Sequence, residues 1–261
     1  IQVDFVNIKS DGSIDMTHLA ELLSQEVKTL VSLMHVNNEV GVVLDLERVV
    51  TICKEHNALF HSDTVQSVGK TEIDLKALPI DFISASAHKF HGPKGIGFAF
   101  IRKNSGLQPL LLGGEQEKGM RGGTESVYQI AGMAKALEMA YASLEVERAA
   151  ILDLKRYCVS QLAQVFPESK IIGTENGFYN IINVVLPLPE DKAAMLLFHL
   201  DMKGIAVSRG SACQSGSSSA SHVLSEILSS DDLAKPSLRI SFSHYNTKED
   251  IDYLIEVLAA V

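Results

Sequence analysis

Cysteine is scarce in this chain: Cys53, Cys158 and Cys213 are the only three among 261 residues, an odd number set far apart. That number and spacing argue against a disulfide framework or a zinc site, and they fit a compartment that keeps thiols reduced. Basic excess is lacking too. Lys and Arg number 23 against 32 Asp and Glu, a formal charge of -9. With no basic tract and no interleaving of basic and aromatic residues, nucleic acid is not expected as a partner. No apolar run approaches the ~20 residues needed to cross a bilayer, so no membrane association is expected. The opening Ile1-Gln2-Val3-Asp4 has neither the basic start nor the long apolar core of a signal peptide, and a cytoplasmic location is the expectation. No internal repeat is present. What remains is a globular composition, 46% hydrophobic and 21% charged, with enough length for one large domain or two smaller ones.

Up to about residue 135, short apolar runs alternate with helical periodicity. Ile1–Ile8 reads as a strand, Thr17–Leu23 as a helix capped by Asp15, Leu30–His35 as a strand and Leu44–His56 as an amphipathic helix. Ala58–His61, Ile80–Ala87 and Gly97–Arg102 read as further strands, and the polar, glycine-rich Leu111–Gly123 as a loop. Apolar strands spaced by helices predict an α/β domain with a mostly parallel sheet, whose chemistry gathers beyond the carboxyl ends of the strands. Val127–Val165 reads as a long helix, with Ile130, Ala134, Leu137, Tyr141 and Leu144 on one face. After it the pattern is α+β, with Ile205–Ser208 among its extended runs and a helix start at Thr247-Lys248-Glu249-Asp250. The expected division is 1–135 for the larger part and 136–261 for a smaller α+β domain.

The residues with chemical potential follow the apolar runs. Ser84-Ala85-Ser86-Ala87-His88-Lys89 leads into the turn Gly92-Pro93-Lys94-Gly95. A lysine where a buried strand meets a turn is poorly solvated, which favours the neutral, nucleophilic amine that an imine with a carbonyl cofactor requires. Were this run extended, Ser86 and His88 would share one face, available to a phosphate, and Lys89 would point the other way. Asp63, with Gln66 one helical turn on, is either a helix cap or a buried acid holding a proton on a heterocyclic nitrogen. Asn38 is a turn residue or an amide donor to a phenolate oxygen. Thr124, in Arg121-Gly122-Gly123-Thr124, is a loop hydroxyl suited to an anion. Arg239 is a surface charge on a strand or a fork for a carboxylate. Cys213 lies in the stretch densest in Ser and Gly, predicted to be a mobile loop, where a thiol is better explained by reactivity than by packing. Cys53 and Cys158, both on helices, read as buried filler.

These segments, with Met34-His35-Val36-Asn37-Asn38-Glu39, Ser62-Asp63-Thr64-Val65-Gln66-Ser67-Val68-Gly69-Lys70 and Gly210-Ser211-Ala212-Cys213, resemble those of cysteine desulfurases, in the class V aminotransferase family of pyridoxal-phosphate enzymes. The resemblance covers essentially the whole chain, and the surroundings of Cys213 resemble the NifS/IscS-like group. It implies the type I fold of pyridoxal-phosphate-dependent transferases: a large domain with a mostly parallel sheet, incomplete here, plus the smaller C-terminal domain bearing the cysteine. It also implies pyridoxal 5'-phosphate as cofactor, no metal, L-cysteine as substrate, a protein sulfur acceptor and a homodimer. Carried over residue by residue, Lys89 binds the cofactor covalently and Asp63 pairs with the pyridine nitrogen. Gln66 and Asn38 contact the phenolic oxygen. Ser86, His88 and, from a partner subunit, Thr124 hold the phosphate. Arg239 binds the substrate carboxylate, and Cys213 attacks the substrate sulfur and carries it as a persulfide, leaving L-alanine.

The family has an N-terminal segment, with a phosphate-cradling turn and a ring-stacking histidine, before the point where this chain opens on Ile1. The expectation is that these residues alone lack full activity. A selenocysteine lyase, another class V enzyme, and a non-catalytic scaffold or inactive fragment that binds sulfur acceptors are the alternatives. Cys213 counts against a transaminase, which has no need of it.

Overall fold

The computed structural model describes residues 1–25, 27–174, 176–209 and 221–261. They form two compact units, one of residues 20–35 and 45–144, the other of residues 1–19, 36–44 and 145–261.

The first unit is built on a four-stranded sheet. Its strands are β1 (Leu30–Met34), β2 (Leu59–Asp63), β3 (Phe82–Ser86) and β4 (Gly97–Ile101), and they lie in that order. β1, β2 and β3 run parallel, while β4 returns antiparallel to β3. The crossover between β1 and β2 carries the helix Leu46–Glu55. Asp45 caps it by accepting from the Arg48 N–H at 3.0 Å, and Leu46, Val49, Val50 and Cys53 form its buried stripe at helical spacing. Register places Asp63 opposite Ser84 and Ser86 opposite Gly97. The carboxyl ends of β2 and β3 are therefore neighbours at one edge of the sheet. Arg102, just past β4, donates to the carbonyls of Leu75, Leu78 and Ile80 and ties down the loop before β3.

In chain order the helices are α1 (Met16–Leu23), α2 (Leu46–Glu55), α3 (Val127–Val165), α4 (Glu190–Met202), α5 (His222–Ile227), α6 (Ser230–Leu233) and α7 (Lys248–Ala259). The second unit centres on an antiparallel sheet of β5 (Lys170–Ile172), β6 (Ile181–Val185) and β7 (Ser237–Ser241), with β6 in the middle and buried along its whole length. Its core joins Leu154, Cys158 and Leu162 of α3, Leu196 and Leu200 of α4, Leu238 and Ile240 of β7, and Ile251, Leu254 and Leu258 of α7. Thr247 and Asp250 form a reciprocal capping box at the start of α7.

Three expectations are corrected. Ile1–Ile8 is not a strand: it contributes only the isolated bridge Ile8–Ile14, and Ile1, Val3 and Phe5 are exposed. Alternation specifies a strand only where a neighbouring strand accepts its hydrogen bonds, and no such neighbour is present among the described residues. Ile205–Ser208 supplies one bridge, Ser208 to Arg239. The strand predicted to run to Ala87 ends at Ser86, where a 3-10 turn over Ala87–Phe90 takes over.

Candidate active site

That turn decides how Lys89 is presented. The Ala87 N–H donates to the Ile96 carbonyl at 3.0 Å, and the Gly92 N–H returns to the Ala87 carbonyl at 2.8 Å. His91 closes the turn with φ 64, in the left-handed region. Ala87 and Phe90 point into the core while His88 is exposed and Lys89 half-buried. In an extended run Ser86 and His88 would share a face by alternation. Here the turn brings them together, and Ser86 Oγ lies 2.8 Å from His88 Nδ1. The hydroxyl and the imidazole so paired form a polar pair next to the lysine in the chain.

Asp63 ends β2 at the same edge of the sheet. Its Oδ1 accepts from the Val65 N–H at 2.9 Å, so it caps the turn that carries Gln66. Below it is a buried polar ladder. Thr64 Oγ1 donates to the Ser84 carbonyl at 2.8 Å, Ser67 Oγ donates to the Thr64 carbonyl at 3.2 Å, and His35 Nδ1 lies 2.9 Å from Ser67 Oγ. Burial pushes the His35 imidazole down to about 4, so it is neutral near pH 7. The ladder fixes the β2 turn against β3 and hence Asp63 relative to Ser86 and Lys89.

Lys70 has no role in the sequence reading. It sits half-buried two residues after Val68, and its amine is pushed down to about 8, first by burial and then by the charge of Lys89. Gly69, at φ 75, is the contact that brings the two segments together: a Cβ there would lie 2.8 Å from the Cβ of Phe90. The signal available in the sequence was the Gly69-Lys70 pair following Gln66 at a turn.

Thr124 is exposed, in a loop after Gly123, whose N–H donates to Gln116 Oε1 at 3.2 Å. It is not joined to Ser86 or His88 by any described hydrogen bond. Asn38 and Arg239 belong to the second unit. There Arg239, half-buried on β7, donates from Nη1 to the Asn38 carbonyl at 3.0 Å. Cys213 lies outside the described residues. Cys53 and Cys158 are buried, as the sequence suggested. Among the described residues no cluster of three metal-ligating side chains occurs, and no helix is long and apolar enough to cross a membrane.

The donor set suits an anionic nitrogen heterocycle. A carboxylate, an amide, a hydroxyl, an imidazole and an amine stand at or just past the ends of two adjacent parallel strands, the usual ligand edge of such sheets. The charge of Lys89 bears on the Lys70 amine at that edge, and an added anion would offset it.

The family described as Aminotransferase class-V matches residues 1–254. The cysteine desulfurase IscS of Dictyoglomus turgidum is 37% identical over all 261 residues, which span 66% of its length. That of Clostridium botulinum strain Hall is 37% identical with the same coverage. Among solved structures, a NifS-like protein from Rickettsia africae superposes with TM-score 0.87 at 34% identity, over 98% of this chain and 68% of that one. Another NifS-like protein gives TM-score 0.88 at 35% identity, over 100% and 68%. The chain thus spans just under two thirds of the curated relatives it matches.

Proposed function

Since this chain belongs to the class-V aminotransferase family, we propose that it acts as a cysteine desulfurase, which takes sulfur from L-cysteine, leaves L-alanine and carries the sulfur as a persulfide on Cys213. The observation that carries this reading is the placement of Asp63 at the end of β2 and Lys89 just past the end of the adjacent parallel β3. An acid and an amine at one sheet edge suit pyridoxal 5'-phosphate, which when bound supplies a protonated ring that draws electrons from the substrate's α-carbon.

In this reading the Lys89 amine holds the cofactor, then removes and returns the α-proton of the substrate. Asp63 keeps the proton on the ring nitrogen. Gln66 and Asn38 donate to the ring oxygen. The Ser86–His88 pair binds the phosphate, completed by Thr124 of a second copy. Arg239 grips the substrate carboxylate with its planar fork. The Cys213 thiolate attacks the substrate sulfur: a sulfur–sulfur bond forms, the carbon–sulfur bond breaks, and its electron pair stays on carbon, which takes up a proton to become alanine. The persulfide then passes to a protein acceptor.

A homodimer is supported by the exposed Leu110, Leu112 and Tyr128 on either side of Thr124 in the sequence. The free, buried Cys53 and Cys158 are consistent with a cytoplasmic setting. The test is mass spectrometry after incubation with L-cysteine and pyridoxal 5'-phosphate. The Cys213 peptide should gain one sulfur atom, and Lys89→Ala and Cys213→Ala should each abolish the gain. Sulfur found on Cys53 or Cys158 instead, or none on any cysteine, overturns the reading.

A further inference from the structure

Glu39 is 1% exposed, the most deeply buried carboxylate among the described residues, and the proposed chemistry does not use it. It stands in a turn pinned on every side. The Asn37 side chain accepts from the Glu39 and Val40 N–H groups at 2.9 and 3.0 Å. Asn183 of β6 and Arg239 of β7 are cross-strand partners. They reach adjacent carbonyls of this turn: Asn183 Nδ2 donates to Glu39 at 3.2 Å, and Arg239 Nη1 to Asn38 at 3.0 Å. The Glu39 carboxylate itself accepts a short hydrogen bond from Ser221 Oγ. That same Ser221 oxygen caps α5, accepting from the Val223 and Leu224 N–H groups at 3.1 and 3.2 Å. All of these groups lie in one unit.

Ser221 is the first described residue after 210–220, the stretch that carries Cys213. On its other side, Ser208 exchanges backbone hydrogen bonds with Arg239 at 2.7 and 3.2 Å. Both flanks of the cysteine-bearing stretch therefore tie back to one turn, through Arg239 on one side and through the Glu39 carboxylate on the other. The turn also presents Asn38.

We infer that Glu39 is a positioning residue: through Ser221 it fixes the flank from which Cys213 approaches the substrate, relative to Arg239 and Asn38. The inference rests on the desulfurase reading. It assigns Glu39 no contact with substrate or cofactor. Because the bond holds a flank of the cysteine-bearing stretch, in the unit that does not contain Lys89, breaking it should separate two halves of the reaction. Proton work by Lys89 at the α-carbon should proceed, while attack by Cys213 should slow.

The experiment uses the holoenzyme and two measurements. One is exchange of the α-proton of L-alanine in deuterated water, which needs Lys89 but no thiol. The other is the single-turnover rate of persulfide formation on Cys213 with L-cysteine. Ser221→Ala should slow persulfide formation about 10–100-fold, the scale of a small misplacement of a reacting group, with alanine exchange unchanged. Ser221→Thr, which keeps the hydroxyl and a capping side chain, should restore the persulfide rate. Should Ser221→Ala fail to fold, Glu39→Gln replaces it: it exchanges one carboxyl oxygen for an amide NH2, disturbing the bond to Ser221, and should lower the persulfide rate alone. Equal loss of both rates would show a general structural role and overturn the inference, as would an unchanged persulfide rate. A wild-type enzyme that exchanges alanine but forms no persulfide would instead overturn the desulfurase reading.

Discussion

Arg239 and Asn38, 201 residues apart, meet through a hydrogen bond of 3.0 Å from the guanidinium Nη1 to the backbone carbonyl. One fork thus braces the turn of a proposed ring contact while being the proposed grip for the substrate carboxylate. Two parallel N–H groups from a planar fork cannot be reproduced by an ammonium.

Arg239→Lys should therefore keep the charge and lose the geometry. Loss of charge-assisted hydrogen bonds of about 1.5–3 kcal/mol corresponds to roughly 10–100-fold in binding. We expect KM for L-cysteine to rise on that scale, with a smaller fall in kcat. Steady-state kinetics checks this. A KM equal to that of the wild type would remove Arg239 from the substrate site.

The three thiols should separate by chemistry. Burial, with a smaller contribution from the charge of Asp81, pushes Cys53 up to about 11, and burial pushes Cys158 up to about 12. At pH 8 a thiol of the first kind is a thiolate only about one part in a thousand, and the thiolate is the nucleophile. Native alkylation with iodoacetamide at pH 8 should label Cys213 and leave the other two untouched until the protein is unfolded. Peptide mass spectrometry reads the result directly. Labelling of Cys158 in the folded protein would contradict the buried environment assigned to it.

Asp63, Ser86 and Lys89 were legible in the sequence because each ends or follows a short apolar run, and parallel strands put such residues at one edge. The helix expected from Leu44 begins only at Leu46, after the cap Asp45, whereas the cap at Thr247 was legible for a similarly local reason. The 3-10 turn after Ser86 was not, since Ala87 and Phe90 continue an apolar pattern that reads equally well as strand. Nor was the link between Glu39 and Ser221, 182 residues apart. No periodicity marks a hydrogen bond between distant polar residues, and a Glu in a turn reads as solvated until its burial is known. Ile1–Ile8 shows the converse failure, alternation with no sheet to receive it.

Gly69 is expected to be intolerant of any side chain. Its φ of 75 lies where L residues are strained, and a Cβ would approach the Cβ of Phe90 to 2.8 Å. The cost of the backbone alone is about 1–2 kcal/mol, and moving Phe90 disturbs the turn that presents Lys89. Gly69→Ala should lower the urea midpoint and also weaken cofactor retention, measured by absorbance after gel filtration. A variant with wild-type stability and full retention would show that the contact is not needed.

His35 makes the stability of the fold sensitive to acid. Its imidazole is held at about 4, against an ordinary value of 6.5, because burial penalises the charged form. The unfolded chain therefore takes up a proton first, and between those two pH values it binds more protons than the folded chain. The sign follows: the contribution is complete above pH 6.5 and is lost as pH falls towards 4. About 2.5 units at 1.36 kcal/mol each is a loss of roughly 3 kcal/mol across that window. His35→Gln retains a side chain able to pair with Ser67 and has nothing to titrate. Urea midpoints taken from pH 7 down to 4.5 should fall less steeply for the variant than for the wild type. Parallel curves would mean that other groups set the acid limb and that His35 titrates alike in the folded and unfolded chain.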